Sequence, residues 1–367
     1  MRLRFRARRD VGVAVVGAER ALEEAGAENA VAIFAQATAG DVSPHYQGPG
    51  DIARRASIRG SAEYAYAEAN GRVQSERALS LLARGDERRL DGGVDAIFGY
   101  FDFTAIHADP RFAGGDPDAW TSDPCHGVAF FRGTRVDGPG LPGPVGMIAE
   151  SIARAVRARR LNGLVRLPPE ERAYYRHLYA AQGPKSILME AGRKLLLGGT
   201  LAKTRLPDFI DPAVKELKRQ ARIGAIGESA LVPTVLPLQI VTIGQVALVS
   251  CPGEFTTTAG RRLLQAVEAD LRARGATELL ICTYCNDYMG YTTTREEYQE
   301  QCYEGGHTIF GQWQLAAFQT RFAELARELR KPEPERGHDR TTRPRPAPAD
   351  ELALRADLPV PSYFKLA

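Results

Sequence analysis

Leu238-Gln-Ile-Val-Thr-Ile-Gly-Gln-Val-Ala-Leu-Val-Ser250 runs directly into Cys251-Pro-Gly-Glu-Phe-Thr256 and then into a long stretch that ends at Gly275. Leu238 to Ile243 and Val246 to Ser250 are short runs rich in β-branched residues, joined at Gly244-Gln245, which is the pattern of a hairpin. From Thr256 to Arg274 the period changes. Leu263, Leu264, Val267 and Leu271 share one helical face, and Gly275 is the stop. Working outward, Leu279 to Cys285 reads as a buried strand. Leu315, Phe318, Phe322, Leu325 and Leu329 are spaced by three and four, as on an amphipathic helix. Ile148, Ile152 and Val156 mark another helix. Strands alternate with helices and a hairpin is present, so the fold class is α/β (mixed α+β), a mixed sheet flanked by helices. No internal repeat is present.

The 367 residues suffice for one large core or two smaller ones. Hydrophobic content of 44% and charged content of 25% are those of a globular protein, and a net charge of +3 is too small to argue for nucleic acid. No apolar run approaches the length that spans a bilayer. The start carries Arg2, Arg4, Arg6, Arg8 and Arg9. Its apolar part, Val11 to Ala18, is short and runs into Glu19 and Arg20, a poor secretory signal. The five cysteines (Cys125, Cys251, Cys282, Cys285 and Cys302) are an odd set and predict no complete disulfide framework. Cys282-Thr-Tyr-Cys285 has metal-knuckle spacing but no second pair to complete a site.

A second informative stretch is Ala30-Val-Ala-Ile-Phe-Ala-Gln-Ala-Thr-Ala-Gly-Asp-Val-Ser-Pro44. Val31 to Ala35 reads as a strand that stops in the Gly40 turn, a place where functional side chains collect. Ser43 is then a held hydroxyl with Asp41 close by. An N-cap serine ahead of Pro44 is the plainer alternative.

Taken in order with Cys251-Pro-Gly-Glu-Phe-Thr-Thr-Thr-Ala-Gly-Arg-Arg-Leu263, Asn286-Asp-Tyr-Met-Gly-Tyr-Thr-Thr-Thr-Arg-Glu-Glu-Tyr298 and Gln301-Cys-Tyr-Glu-Gly-Gly-His-Thr-Ile-Phe-Gly311, this stretch closely resembles the neutral/alkaline ceramidase family. The resemblance covers roughly residues 25 to 330, patchily between 60 and 230. It implies a zinc-dependent amidase that cleaves the N-acyl bond of ceramide to sphingosine and a fatty acid, with possible peripheral membrane contact. It also implies an N-terminal region bearing two zinc-binding histidines, in motifs like Thr-His-Thr-His-Ser-Gly-Pro-Gly-Gly and His-Gly-Thr-Ser-Met. Neither motif occurs here. The expectation is therefore the latter part of a ceramidase catalytic domain, incomplete at its N-terminus, with the missing segment supplied upstream or by another chain. Such a chain would bind zinc weakly and turn over little ceramide alone.

Amide hydrolysis needs a nucleophile, stabilisation of the oxyanion and an acid for the leaving amine. Zinc can meet the first two needs. Glu254 sits at a strand-to-helix junction, where the plain reading is a helix N-terminal carboxylate. By resemblance it is a zinc ligand. Tyr291, an uncommon ligand type, matches the family's tyrosine ligand. Tyr303 matches a second active-site tyrosine that contacts the reacting amide. Ser43 matches the active-site serine, either as a nucleophile or as a hydrogen-bond partner of the carbonyl. Tyr288 and Tyr298 read as packing or cleft-lining residues. His45 would share Ser43's face on a strand, although Pro44 disturbs that geometry. Among His107, His126, His177, His307 and His338, His126 is the best replacement for a missing ligand. His307 reads as a loop or helix-start residue.

Residues 1–330 are thus expected to form the partial catalytic domain. Residues 331–350, dense in Pro, Arg and Glu, read as a disordered linker. Residues 351–367 are a short tail. A non-catalytic lipid-binding or scaffold protein of the same fold, or a hydrolase of another lipid amide, remain the alternatives.

Overall fold

The computed structural model describes residues 10–43, 51–85, 88–134, 138–203 and 212–356. The five arginines at positions 2–9, His45 and the end from Leu358 to Ala367 lie outside the described residues. In chain order, helices Asp10–Glu24 (α1) and Ala62–Leu82 (α2) pack as a pair. Strands Val94–Asp102 (β1) and Cys125–Gly127 (β2) follow, then helices Gly143–Leu161 (α3) and Pro169–Gln182 (α4). Next come Ile187–Glu190 (β3), Leu195–Leu196 (β4), Gly199–Thr200 (β5), Val235–Ile243 (β6), Val246–Ser250 (β7) and Glu254–Phe255 (β8). The chain continues through Thr257–Ala273 (α5), Glu278–Cys282 (β9), Tyr291–Thr292 (β10), Tyr303–Gly306 (α6) and Gln314–Leu329 (α7).

The main sheet has the order β1-β6-β7-β9. The β6–β7 hairpin forms as its sequence predicts, with Ile243 opposite Val246 and Gln239 opposite Ser250. β9 lies parallel to β7, pairing Glu278 with Val246 and Cys282 with Ser250. A parallel pair needs a crossover, and α5 supplies it. The sheet is therefore mixed. A smaller antiparallel sheet, β2-β3-β4-β5, lies beside α3 and α4.

One core joins sheet and helices. Alternate residues of β6, Leu236, Leu238 and Ile240, point one way and are fully buried. They meet Leu263, Val267 and Leu271 of α5 and Phe318, Phe322, Leu325 and Leu329 of α7 in a single apolar cluster. Leu264, assigned to the same face from its spacing, is only partly buried.

Two local expectations differ from the structure. Val31 to Ala35 forms no strand: Val31 and Ile33 are 78% and 86% exposed, and no described residue pairs with this stretch in a ladder. A strand needs a neighbour, and alternation alone does not supply one. In α3 the helix is placed correctly but its inward face is not. Ile148 and Ile152 are exposed, and Gly146, Ala149 and Ala153 face inward. The helix approaches closely here: a methyl group on Gly146 would fall 2.7 Å from Arg132 Nε. Small residues permit that approach, so hydrophobicity alone reads the face wrongly.

The segment after α7 packs against the free edge of β1. Arg336 is buried there, its guanidinium bonding to Asp95 and to the carbonyl of Ala96. All five cysteines are free. No helix among the described residues is long and apolar enough to cross a membrane.

Candidate active site

Glu254 and Tyr291 meet because two very short strands pair. β8 and β10 are parallel, and Glu254 lies opposite Tyr291. The Glu254 amide donates to the Gly290 carbonyl (2.8 Å), and the Thr256 amide donates to Thr292 (3.1 Å). One residue beyond this pair Thr256 caps α5, its hydroxyl accepting from the Ala259 amide. The same hydroxyl donates to Glu297 (2.7 Å). Glu297 forms a capping box with Thr294 at the start of the next helix. Glu254 thus stands between a strand bridge and a capped helix start, both fixed by local chemistry.

Gly253 admits this arrangement. A Cβ there would lie 2.5 Å from the Gly290 carbonyl oxygen and 2.7 Å from Met289 Cε. The backbone contact cannot relax without parting β8 from β10. Gly253→Ala is expected to cost about 1–3 kcal/mol, as overpacking does, and to move Glu254 away from its tyrosines. Urea denaturation together with tyrosine absorbance titration would check both effects. An unchanged tyrosine titration would count against the assigned role of this glycine.

Around the Glu254 carboxylate stand several phenols. Tyr288 donates its hydroxyl directly to Glu254 Oε1. Tyr284 stacks on Tyr288 with ring centroids 5.9 Å apart. Burial, and then hydrogen bonding to the Glu254 carboxylate, raise Tyr284, Tyr288 and Tyr291 well above the ordinary tyrosine range, so all three stay protonated donors. The loop that carries them is tied to the Pro252 turn. Tyr284 donates to Gly253, Cys285 to Cys251 and Met289 to Pro252 through their amides. Tyr284 and Asn286 adopt positive φ to make that bend.

Tyr303 opens α6, and its ring meets that of Tyr291 edge-on at 5.5 Å. His307 links the two tyrosines: its carbonyl accepts from the Tyr291 amide, and its own amide donates to the Tyr303 carbonyl. Behind it lie Phe130, 4.0 Å from the His307 ring and 5.1 Å from Tyr303, and His126, 5.0 Å from His307. Burial, then the charge of Lys185, pushes His307 down to about 3. Burial and the neighbouring His307 hold His126 well below the ordinary range. Both imidazoles are therefore neutral. Lys185 itself is fully buried, donates to the carbonyls of Cys125 and Thr308, and is pushed down by burial to about 7.

Ser43 reaches this region through Gly40 and Asp41. The Gly40 amide donates to the Phe255 carbonyl (2.9 Å), and Asp41 Oδ1 accepts from both the amide and the hydroxyl of Thr257 (2.8 Å each). The segment is pinned to the residue after Glu254 and to the start of α5, with Ser43 just beyond. Gly40 matters for space: a Cβ would fall 2.8 Å from the Phe255 carbonyl carbon. The other described histidines stand elsewhere. His107 and His177 bond to the carbonyls of Pro117 and Thr121.

The direct bond from Tyr288 to Glu254 was not legible in the sequence, where Tyr288 reads as a cleft-lining residue and Tyr284 attracts no attention. The recurrence of tyrosine at 284, 288 and 291 was the available signal. Tyr298 is buried and donates to the Gln182 carbonyl, in keeping with packing. Among the described residues no group of three or more His, Cys, Asp or Glu side chains is placed to hold a metal ion.

Comparison with known proteins gives the chain's relatives. The family model described as neutral/alkaline non-lysosomal ceramidase, N-terminal, matches residues 9–197 and 218–320. The neutral ceramidase of Pseudomonas aeruginosa is 32% identical over 307 residues, covering 82% of this chain and 38% of the relative. That of Mycobacterium tuberculosis is 32% identical over 329 residues, covering 90% and 43%. A solved structure titled as a ceramidase complexed with C2 superposes with a TM-score of 0.61 at 29% identity, over 88% of this chain and 42% of that one. The chain spans about two fifths of the length of the curated relatives it matches.

Proposed function

Because the chain belongs to the neutral/alkaline non-lysosomal ceramidase family, we propose that it carries the carboxylate-and-tyrosine half of a zinc-dependent lipid amidase site, acting on the N-acyl bond of ceramide. The observation that supports this most is the pairing of Glu254 with Tyr291 across the β8–β10 bridge. A carboxylate oxygen is a donor that zinc accepts; a phenol is an uncommon one, so the part of Tyr291 rests on the family resemblance and on its place beside Glu254. Glu254 and Tyr291 would hold the metal. Catalytic zinc takes three or more protein ligands and keeps one position open, so these two residues form part of a site rather than a whole one. When bound, zinc would polarise the amide carbonyl and lower the pKa of water.

The chain's own residues have distinct tasks. Tyr303, held through His307 against Tyr291, offers its hydroxyl to the reacting amide. Ser43, fixed by the Gly40 and Asp41 anchors, is the nucleophile or the hydrogen-bond partner of the carbonyl. Tyr288 and Tyr284 keep the Glu254 carboxylate oriented by donating to it. A ligand-bearing carboxylate is usually held by such partners, which fix its direction.

The test is zinc analysis and ceramide hydrolysis on the purified chain. Zinc is expected to bind weakly, to be lost on dialysis, and to bind more weakly still in Glu254→Gln and Tyr291→Phe. Any ceramide turnover should require added zinc. Turnover indifferent to chelation, or zinc binding unchanged in both variants, would overturn the metal assignment. Ceramide bound but never hydrolysed at saturating zinc would favour a lipid-binding protein of the same fold.

A further inference from the structure

A cleft of about 280 Å³ lies between the free edge of β1 and the segment after α7. Its walls are Ala96, Ile97, Phe98 and Gly99 of β1 on one side and Glu333, Arg336, His338, Arg340 and Arg343 on the other. Three guanidinium groups and an imidazole therefore face one small space, with Glu333 as the single acid in the lining.

The positive groups are not equivalent. Arg336 is the floor. It bonds to both oxygens of Asp95, a carboxylate it shares with Arg274, and to the carbonyls of Ala96 and Lys331. Arg340 and Arg343 are different. Each makes one bond to a main-chain carbonyl, of Glu333 and Thr342 respectively. Arg343 also lies over the Tyr100 ring, at 5.7 Å. Neither forms an ion pair with a described carboxylate. A guanidinium has five N–H donors, so both keep most of theirs.

The nearest acid in sequence does not neutralise them. Asp339 accepts from the amides and hydroxyls of Thr341 and Thr342. Its oxygens are committed to the turn that carries Arg340 and Arg343 to the cleft. His338 adds an independent observation: the residue is half-exposed and interacts with the Phe98 main chain, but its Nδ1 is buried and has no hydrogen-bond partner among the described residues. A buried polar atom without a partner calls for one, and this one borders a cleft lined by cations.

From these features we propose that the cleft binds a phosphate group, through Arg340 and Arg343 with His338 beside them. Planar guanidinium pairs match tetrahedral oxyanions in fork geometry, better than lysine would. The phosphate could be the free anion or the exposed headgroup of a phosphomonoester lipid.

The experiment titrates the full chain with inorganic phosphate by calorimetry, and separately with vesicles of phosphatidylcholine with or without phosphatidic acid. Saturable binding of phosphate identifies the free anion. Binding only to the phosphatidic acid vesicles identifies the headgroup. In either case the Arg340→Gln/Arg343→Gln variant should bind at least about tenfold more weakly, as expected for loss of charge-assisted bonds. A control with the same charge change at exposed positions remote from the cleft, Arg159→Gln/Arg166→Gln, should bind as the parent does. Absence of binding in both arms, or an equal loss in the control, would overturn the proposal.

Discussion

Replacing Glu254 by glutamine is expected to lower zinc-dependent amide hydrolysis by at least about a hundredfold, the scale seen when a preorganised polar group at a reacting centre is removed. Two effects combine. The negative charge that would hold zinc is gone, and the new amide presents N–H groups toward phenols that were donating to a carboxylate. The fold should survive, because Glu254 is only half-buried and its backbone bond to Gly290 does not involve the side chain. A second readout separates loss of function from loss of structure. The carboxylate helps to raise Tyr284, Tyr288 and Tyr291, so in the glutamine variant these phenols should ionise at lower pH than in the parent. Absorbance titration of tyrosinate measures this without any substrate. Unchanged hydrolysis with a shifted titration would remove Glu254 from the reaction while keeping it as the electrostatic partner of the tyrosines. An unchanged titration would show that the carboxylate does not face them at all.

The parts of this site that could be read from sequence are those fixed locally. The hairpin of β6 and β7, the start of a helix at Thr256 and most of the buried face of α5 each follow from residues within a few positions of one another. Glu254 stands at such a strand-to-helix junction, where the residues alone read as a helix N-terminal carboxylate; only the family resemblance singles it out as a ligand. Its partners were less legible still. Tyr291 meets it through a two-residue parallel bridge, too short to leave a periodic trace. The Tyr288 bond depends on a loop bent through positive φ at Tyr284 and Asn286, a conformation that neither residue type announces strongly. His126 and His307 are far apart in sequence and adjacent in space, and their shared neutrality comes from burial first and then from neighbouring groups brought in by the fold. Val31 to Ala35 is the reverse case, a local pattern with no described neighbour to complete it.

The largest stability effect is expected away from the tyrosines. Arg160→Met should cost about 3–5 kcal/mol, the usual price of stranding one partner of a buried ion pair. Arg160 of α3 bonds to Glu190 of β3 at 2.5 Å, with side chains only 10% and 5% exposed. Its guanidinium also bonds to the Tyr179 hydroxyl and lies 4.0 Å from the Tyr175 ring centroid. Methionine fills much of the space but leaves the Glu190 carboxylate desolvated, with only a long bond from Tyr175. The loss would travel toward the site, since β3 pairs with β2 and so supports His126 behind Phe130 and Tyr303. A second substitution tests the cause. Adding Glu190→Met should recover most of the loss in urea denaturation, because an apolar pair of similar volume replaces a buried ion pair at little cost. A deficit that is not rescued by the second substitution would mean that lost packing on Tyr175 and Tyr179, rather than the stranded charge, is responsible.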